Sequence, residues 1–115
     1  MRIYLKGRNV EVSPELRAAV EKRFGRVGRQ VPDVARVEVV LSEERNPAIA
    51  DGKVAEATLH LKGATLHARE ASPEMLRSIK VLAKDMQRQV KRHRSKRVKR
   101  SQTRRLVNRL RGREA

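Results

Sequence analysis

Apolar residues alternate at the start of the chain. Ile3 and Leu5 fall on one side of residues 2–8, and Arg2, Tyr4, Lys6 and Arg8 on the other. A period of two predicts a half-buried strand. The period then lengthens: Leu16, Val20, Phe24 and Val27 recur at helical spacing behind Ser13-Pro14-Glu15. That tripeptide offers a Ser N-cap, a Pro at the first helical position and an acid in the first turn. The helix should end near Gly28, before Pro32.

Alternation returns over 34–41, with Ala35, Val37, Val39 and Leu41 inward and Arg36 and Glu38 outward. Residues 42–52 read as a polar loop with turns at Asn46-Pro47 and Asp51-Gly52. A third strand over 53–62 turns Ala55, Ala57, Leu59 and Leu61 inward, and Glu56, Thr58, His60 and Lys62 outward. Gly63-Ala64 suits a two-residue type II′ hairpin with Gly first. That turn predicts Leu61 opposite Leu66, His60 opposite His67 and Thr58 opposite Arg69, with a fourth strand over 65–71. Ser72-Pro73-Glu74 then repeats the helix start, and Met75, Ile79, Leu82, Met86 and Val90 form a second apolar stripe. The predicted fold is α+β, in the order β-α-β-β-β-α. A four-stranded sheet carries both helices on one face, as in double-stranded-RNA-binding domains, and the first two strands run parallel through a right-handed crossover.

Charge changes this picture at one end only. Residues 73–115 hold 16 Lys and Arg against 3 acids, whereas residues 1–72 hold 13 against 10, within a formal net charge of +16. After Val90 the apolar stripe fails and cations surround the helix, so helix should continue a few turns and then fray until an anion neutralises it. The expected organisation is a domain over 1–95 and a basic tail over 96–115, flexible when free. Cysteine is absent, which removes disulfides and thiolate metal sites. No apolar run approaches the ~20 residues of a membrane span. These features predict a soluble cytoplasmic protein, monomeric when free.

Catalytic signals are poor. Neither G-x-G-x-x-G nor G-x-x-x-x-G-K occurs. Ser13 and Ser72 read as helix caps rather than nucleophiles. His60 and His67, facing each other across the predicted hairpin, lack a third metal ligand, so the reading is no enzyme, no metal, no cofactor and no small-molecule substrate. Thirteen Lys and Arg lie between Arg88 and Arg113 without an acid among them. Repulsion on that scale calls for a polyanion. A membrane would need an apolar face beneath the charges, which 91–105 lacks. Nucleic acid remains. With Tyr4 and Phe24 the only aromatics, single-stranded bases have little to stack on. Backbone and shape recognition of structured RNA fits best, and a general binder of double-stranded or structured RNA is one form of that reading.

Three segments also resemble a known family. Glu70-Ala71-Ser72-Pro73-Glu74-Met75-Leu76, then Ile79, then Lys84 through Arg92 are similar to the second-helix signature of the ribosome hibernation-promoting factor and ribosome-associated inhibitor family. Ile3 through Asn9 with Glu11-Val12-Ser13 resembles its first strand and turn, and Lys53 through Leu59 its third strand. The resemblance implies a factor that binds the small ribosomal subunit through its RNA and blocks the channel of transfer and messenger RNA under stress, without catalysis. It implies contacts from Lys84, Arg88, Lys91 and Arg92, with Arg23 and Arg26 from the first helix; the basic run adds Arg94, Lys96 and Arg97. Leu76 and Lys80 stand where that family usually has Tyr and Asp. Its long form adds a dimerisation domain, whereas a basic tail follows here, so pairing of ribosomes by this chain alone is not expected.

Overall fold

The structure, a computed structural model, describes residues 1–46 and 48–96 with their side chains. Six elements follow in order: β1 (Arg2–Arg8), α1 (Pro14–Gly28), β2 (Arg36–Glu43), β3 (Lys53–Leu61), β4 (Ala64–Ser72) and α2 (Met75–Glu114). They form one four-stranded sheet in the order β1-β2-β3-β4, with β1 and β2 parallel and the other pairs antiparallel. The predicted fold class and element order stand. Expectations for Arg97, and for flexibility or fraying of the tail beyond Lys96, lie outside the described side chains.

Alternation in the strands and helical spacing in the helices meet in one core. Val20, Phe24 and Val27 of α1, Val37, Val39 and Leu41 of β2, Ala57 and Leu59 of β3, and Ile79, Leu82, Met86 and Val90 of α2 are at most 1% exposed. Both helices therefore lie on one sheet face. Ser13 caps α1 as predicted, its Oγ accepting from the Leu16 amide at 3.2 Å. Beyond β1, Asn9 takes a left-handed φ of 54°. Its side-chain amide donates to the Glu43 carbonyl at 2.8 Å while its oxygen accepts from the Glu43 amide at 3.0 Å. The side chain thus continues the β1–β2 ladder for one more step.

Two local expectations are corrected. The β3–β4 turn is Lys62-Gly63, not Gly63-Ala64: Leu61 faces Ala64, Leu59 faces Leu66 and Thr58 faces His67. Gly63 supplies the positive φ, 79°, at the second turn position rather than the first. The shift is an even number of residues, so inward and outward faces are kept while every partner changes. This register pairs all of β3 with β4 and brings Glu56 opposite Arg69, Oε1 to Nε 3.3 Å. The predicted register would run β3 against Pro73. His60 and His67 are consequently not cross-strand partners. His67 Nδ1 instead lies 3.2 Å from the Thr58 hydroxyl, and His60 faces Thr65.

Ser72 is the second correction. It ends β4, and α2 begins at Met75, so Pro73 and Glu74 precede the first helical residue. The Glu74 carbonyl accepts the first helical bond, from the Ser78 amide at 3.1 Å. The Ser72 hydroxyl is buried, 2.7 Å from the Ser78 hydroxyl and 2.6 Å from the Glu74 carbonyl oxygen. Ser78 in turn donates to the Lys53 carbonyl at 2.6 Å. The pair of hydroxyls pins the first turn of α2 to the start of β3.

Candidate nucleic-acid interface

The core stripe fixes which side of α2 faces water. With Ile79, Leu82, Met86 and Val90 inward, the other side exposes Arg77, Lys80, Lys84, Arg88, Lys91, Arg92 and Lys96, while Arg94 is exposed one turn beyond Val90 on the stripe side. Five of these, Lys80, Lys84, Arg88, Arg92 and Lys96, recur every fourth residue and form one ridge. Neighbours along such a row are ~6 Å apart on the axis, so the ridge rises ~24 Å. Rows of this spacing are inclined to the helix axis by about 26°. The ridge therefore crosses α2 from the α1 side to the β4 side. Lys80 and Lys84 share a hollow with Arg23 of α1. Arg88, Arg92 and Lys96 share another with Leu66 of β4.

Nothing described within the chain neutralises this ridge. Among the described residues the ion pairs are Lys53 with Glu43, His60 with Glu38 and Arg69 with Glu56, all on the sheet. Asp85, the acid within the ridge's span, accepts from Gln89 Nε2 at 3.4 Å, and that Nε2 also donates to the His67 carbonyl at 2.9 Å. Gln89 thereby ties α2 to the outer edge of β4. The opposite sheet face is mixed in sign. Along its rows Lys6, Val40, Glu56 and Arg69 are neighbours, as are Tyr4, Glu38, Thr58 and His67. Among the described residues the helix face presents its cations as one line from Lys80 to Lys96, whereas on the sheet face Arg2 and Arg36 are neighbours in a row that ends in His60 and Thr65.

The sequence-predicted site residues sort accordingly. Lys84, Arg88, Arg92 and Lys96 lie on the ridge and Lys91 is exposed beside it, whereas Arg94 is exposed away from it, in line with Val90. Arg23 is half-buried against the ridge's N-terminal end, and Arg26 is exposed on α1. Arg97 lies outside the described side chains. Sequence reasoning missed Arg77 and Lys80, which extend the exposed row toward the helix start. Their spacing from Lys84, seven and four residues, was the available signal. His60 and His67 are not assembled into a metal site: among the described residues no three His, Cys, Asp or Glu come together as one. Among those residues, too, no helix is long and apolar enough to cross a membrane.

The described residues thus form a helix-on-sheet module of the α+β class whose exposed helix face carries a cationic ridge unpaired among them. Comparison with known proteins narrows it. The family described as Sigma 54 modulation protein / S30EA ribosomal protein matches residues 3–98, and the chain belongs to that family. Its role is non-enzymatic. A ribosome hibernation promoting factor of Salmonella typhimurium is 32% identical over 96 residues, covering 84% of this chain and 96% of that protein. One from Azotobacter vinelandii is 30% identical over 102 residues, covering 89% and 91%. In structure, the N-terminal domain of Protein Y from Thermus thermophilus superposes with a TM-score of 0.68 at 31% identity, covering 81% of this chain and 99% of that one. A ribosomal subunit interface protein from Coxiella burnetii shares the fold, with a TM-score of 0.69 at 21% identity.

Proposed function

We propose that this chain is a ribosome-associated hibernation factor that inhibits translation by occupancy. It binds the small ribosomal subunit through phosphates of its RNA and, once seated, fills the channel that transfer and messenger RNA use. Family membership supports the ribosome as partner. The observation that carries the binding mode is the ridge of five exposed cations, unpaired among the described residues. Such a line is repulsive in isolation and becomes favourable when phosphates replace its counterions.

In this reading Lys84, Arg88, Arg92 and Lys96 track the RNA backbone, Lys91 widens the strip, Arg23 and Arg26 extend it onto α1, and Arg94 reaches phosphate from the flank of α2 beyond the core. Arg97 and the tail add charge beyond it. The core holds α2 in place, so the cations reach the RNA at fixed positions and lose little freedom on binding. Phosphate contacts set where the domain sits without reading sequence. The free protein is a monomer and works in the cytoplasm, where ribosomes are.

The test is sedimentation of the purified chain with ribosomes and separated subunits at low and high salt, beside an in-vitro translation assay. Co-sedimentation with small subunits at low salt, lost at high salt, and inhibition that added transfer RNA relieves are expected. No co-sedimentation at low salt would sink the proposal. Equal affinity for naked duplex RNA would instead make the chain a general structured-RNA binder.

A further inference from the structure

Five large apolar side chains stand exposed among the described residues: Tyr4 on the sheet, Val34 and Ile49 in loops, and Leu76 and Val81 on α2. The last two are 44% and 38% exposed, and cations surround them. Leu76 and Val81 share one open hollow with Arg77, Lys80 and Lys84 of α2 and Arg23 of α1. Its volume is about 550 Å³, and small-ligand clefts span roughly 300–1,000 Å³. The one acid lining it, Glu74, sits at the helix start. Neither Leu76 nor Arg77 belongs to the core cluster, and two of the hollow's cations, Lys80 and Lys84, are also the first two members of the ridge.

Resting on the reading above, we propose that this hollow receives one unstacked nucleotide of the bound RNA. Continuity decides the occupant: a strand whose phosphates lie on Lys84 and Arg88 has its next residue over Leu76 and Val81. Lys80 and Lys84 hold that nucleotide's phosphate. Leu76 and Val81 supply an apolar floor for the base, and the planar guanidinium groups of Arg23 and Arg77 offer faces for it to stack on. The exposed Tyr4 cannot serve, because it lies on the other side of the sheet. The ridge thus tracks the backbone, while this hollow makes the one contact to a base.

Base-reactivity footprinting of small-subunit RNA, alone and with the chain bound, tests this. Protection of one or two unpaired bases is expected with the wild type. Leu76→Ser should restore reactivity there and weaken binding about fivefold, near the low end of base-stacking contributions, with an unchanged salt slope. Lys80→Gln should instead lower the slope by about one. Leu76 is exposed, and a circular dichroism spectrum confirms that the variant folds. A wild type that binds but yields the same base pattern as Leu76→Ser overturns the inference alone. So does a photocrosslinker at position 76 that attaches only to a ribosomal protein. A wild type that does not bind small subunits overturns this inference together with the function it rests on.

Discussion

Removing the middle of the ridge should make the protein a worse binder and a more stable fold. The perturbation is Lys84→Ala, Arg88→Ala and Arg92→Ala in one chain, all three exposed. Each released phosphate contact contributes about 0.9 to the slope of log affinity against log salt on a duplex, and about 0.7 on a single strand. Three contacts therefore remove about 2 to 2.7 from the slope, whatever the other cations contribute. A fourfold rise in salt then separates wild type from variant by a further factor of roughly 16 to 40 in relative loss of affinity. On the free protein the same change abolishes every i,i+4 repulsion in the ridge, because Lys80 and Lys96 are left without a ridge neighbour. At ~0.2–0.5 kcal/mol for each of the four pairs the gain approaches 1–2 kcal/mol at low salt and shrinks with screening. Alanine's helix propensity adds slightly to it. The assays are quantitative co-sedimentation from about 50 to 200 mM salt, the range in which phosphate contacts show, and thermal denaturation of the free protein. A slope within one unit of wild type refutes the reasoning, since the phosphates would then be held elsewhere.

The same glycine substitution should act with opposite signs at two positions. Gly7→Ala drives a Cβ into the Val10 carbonyl oxygen, so the turn after β1 must move, and a drop in melting temperature is expected. Gly25→Ala on exposed α1 meets nothing within 4 Å and should stabilise by about 0.8–1 kcal/mol, read as a raised denaturation midpoint. Ser78→Ala removes the donor to the Lys53 carbonyl and the partner of Ser72, and should cost about 1–3 kcal/mol in chemical denaturation. Phe24→Ala, fully buried, should cost about 3–5 kcal/mol and leave a protein that melts early or fails to fold. His60→Ala with His67→Ala should leave co-sedimentation with small subunits unchanged, because neither lies on the helix face.

The sequence was most readable where one period governs a whole element. Ile3 and Leu5, the β2 alternation and the α2 stripe each declare a buried face, and such faces close on one another in few ways. It was least readable where two local solutions share those faces. Gly63 satisfies a turn with its positive φ at either position, and the two registers differ by an even step, so the apolar pattern could not choose between them. The choice falls to Glu56 with Arg69 and to the full pairing of β3, which are relations between strands. Ser72 misled for a similar reason: Ser-Pro-Glu caps a helix when the Ser hydroxyl meets the first-turn amides, as at Ser13, but here β4 runs one residue further and buries the hydroxyl against Ser78. In the candidate site the cations themselves were legible. Their sorting into a ridge required the predicted stripe and the four-residue spacing to be read together, because sequence shows charge at every turn of α2. Lys80 was passed over as a departure from a family pattern when its spacing already placed it in line.

That stripe and that ridge occupy opposite sides of a single helix, and this constrains how α2 can change length. One residue inserted between Ile79 and Lys84 would turn everything beyond it by ~100°, carrying cations toward the core and leucine and methionine toward water. An insertion of seven residues, nearly two full turns, would offset the two sides by only ~20°. Individual cations can therefore be exchanged one at a time, whereas indels in α2 are tolerated only in near-whole-turn steps. Screening a library of α2 insertions for soluble expression would reveal that spacing as a comb of survivors.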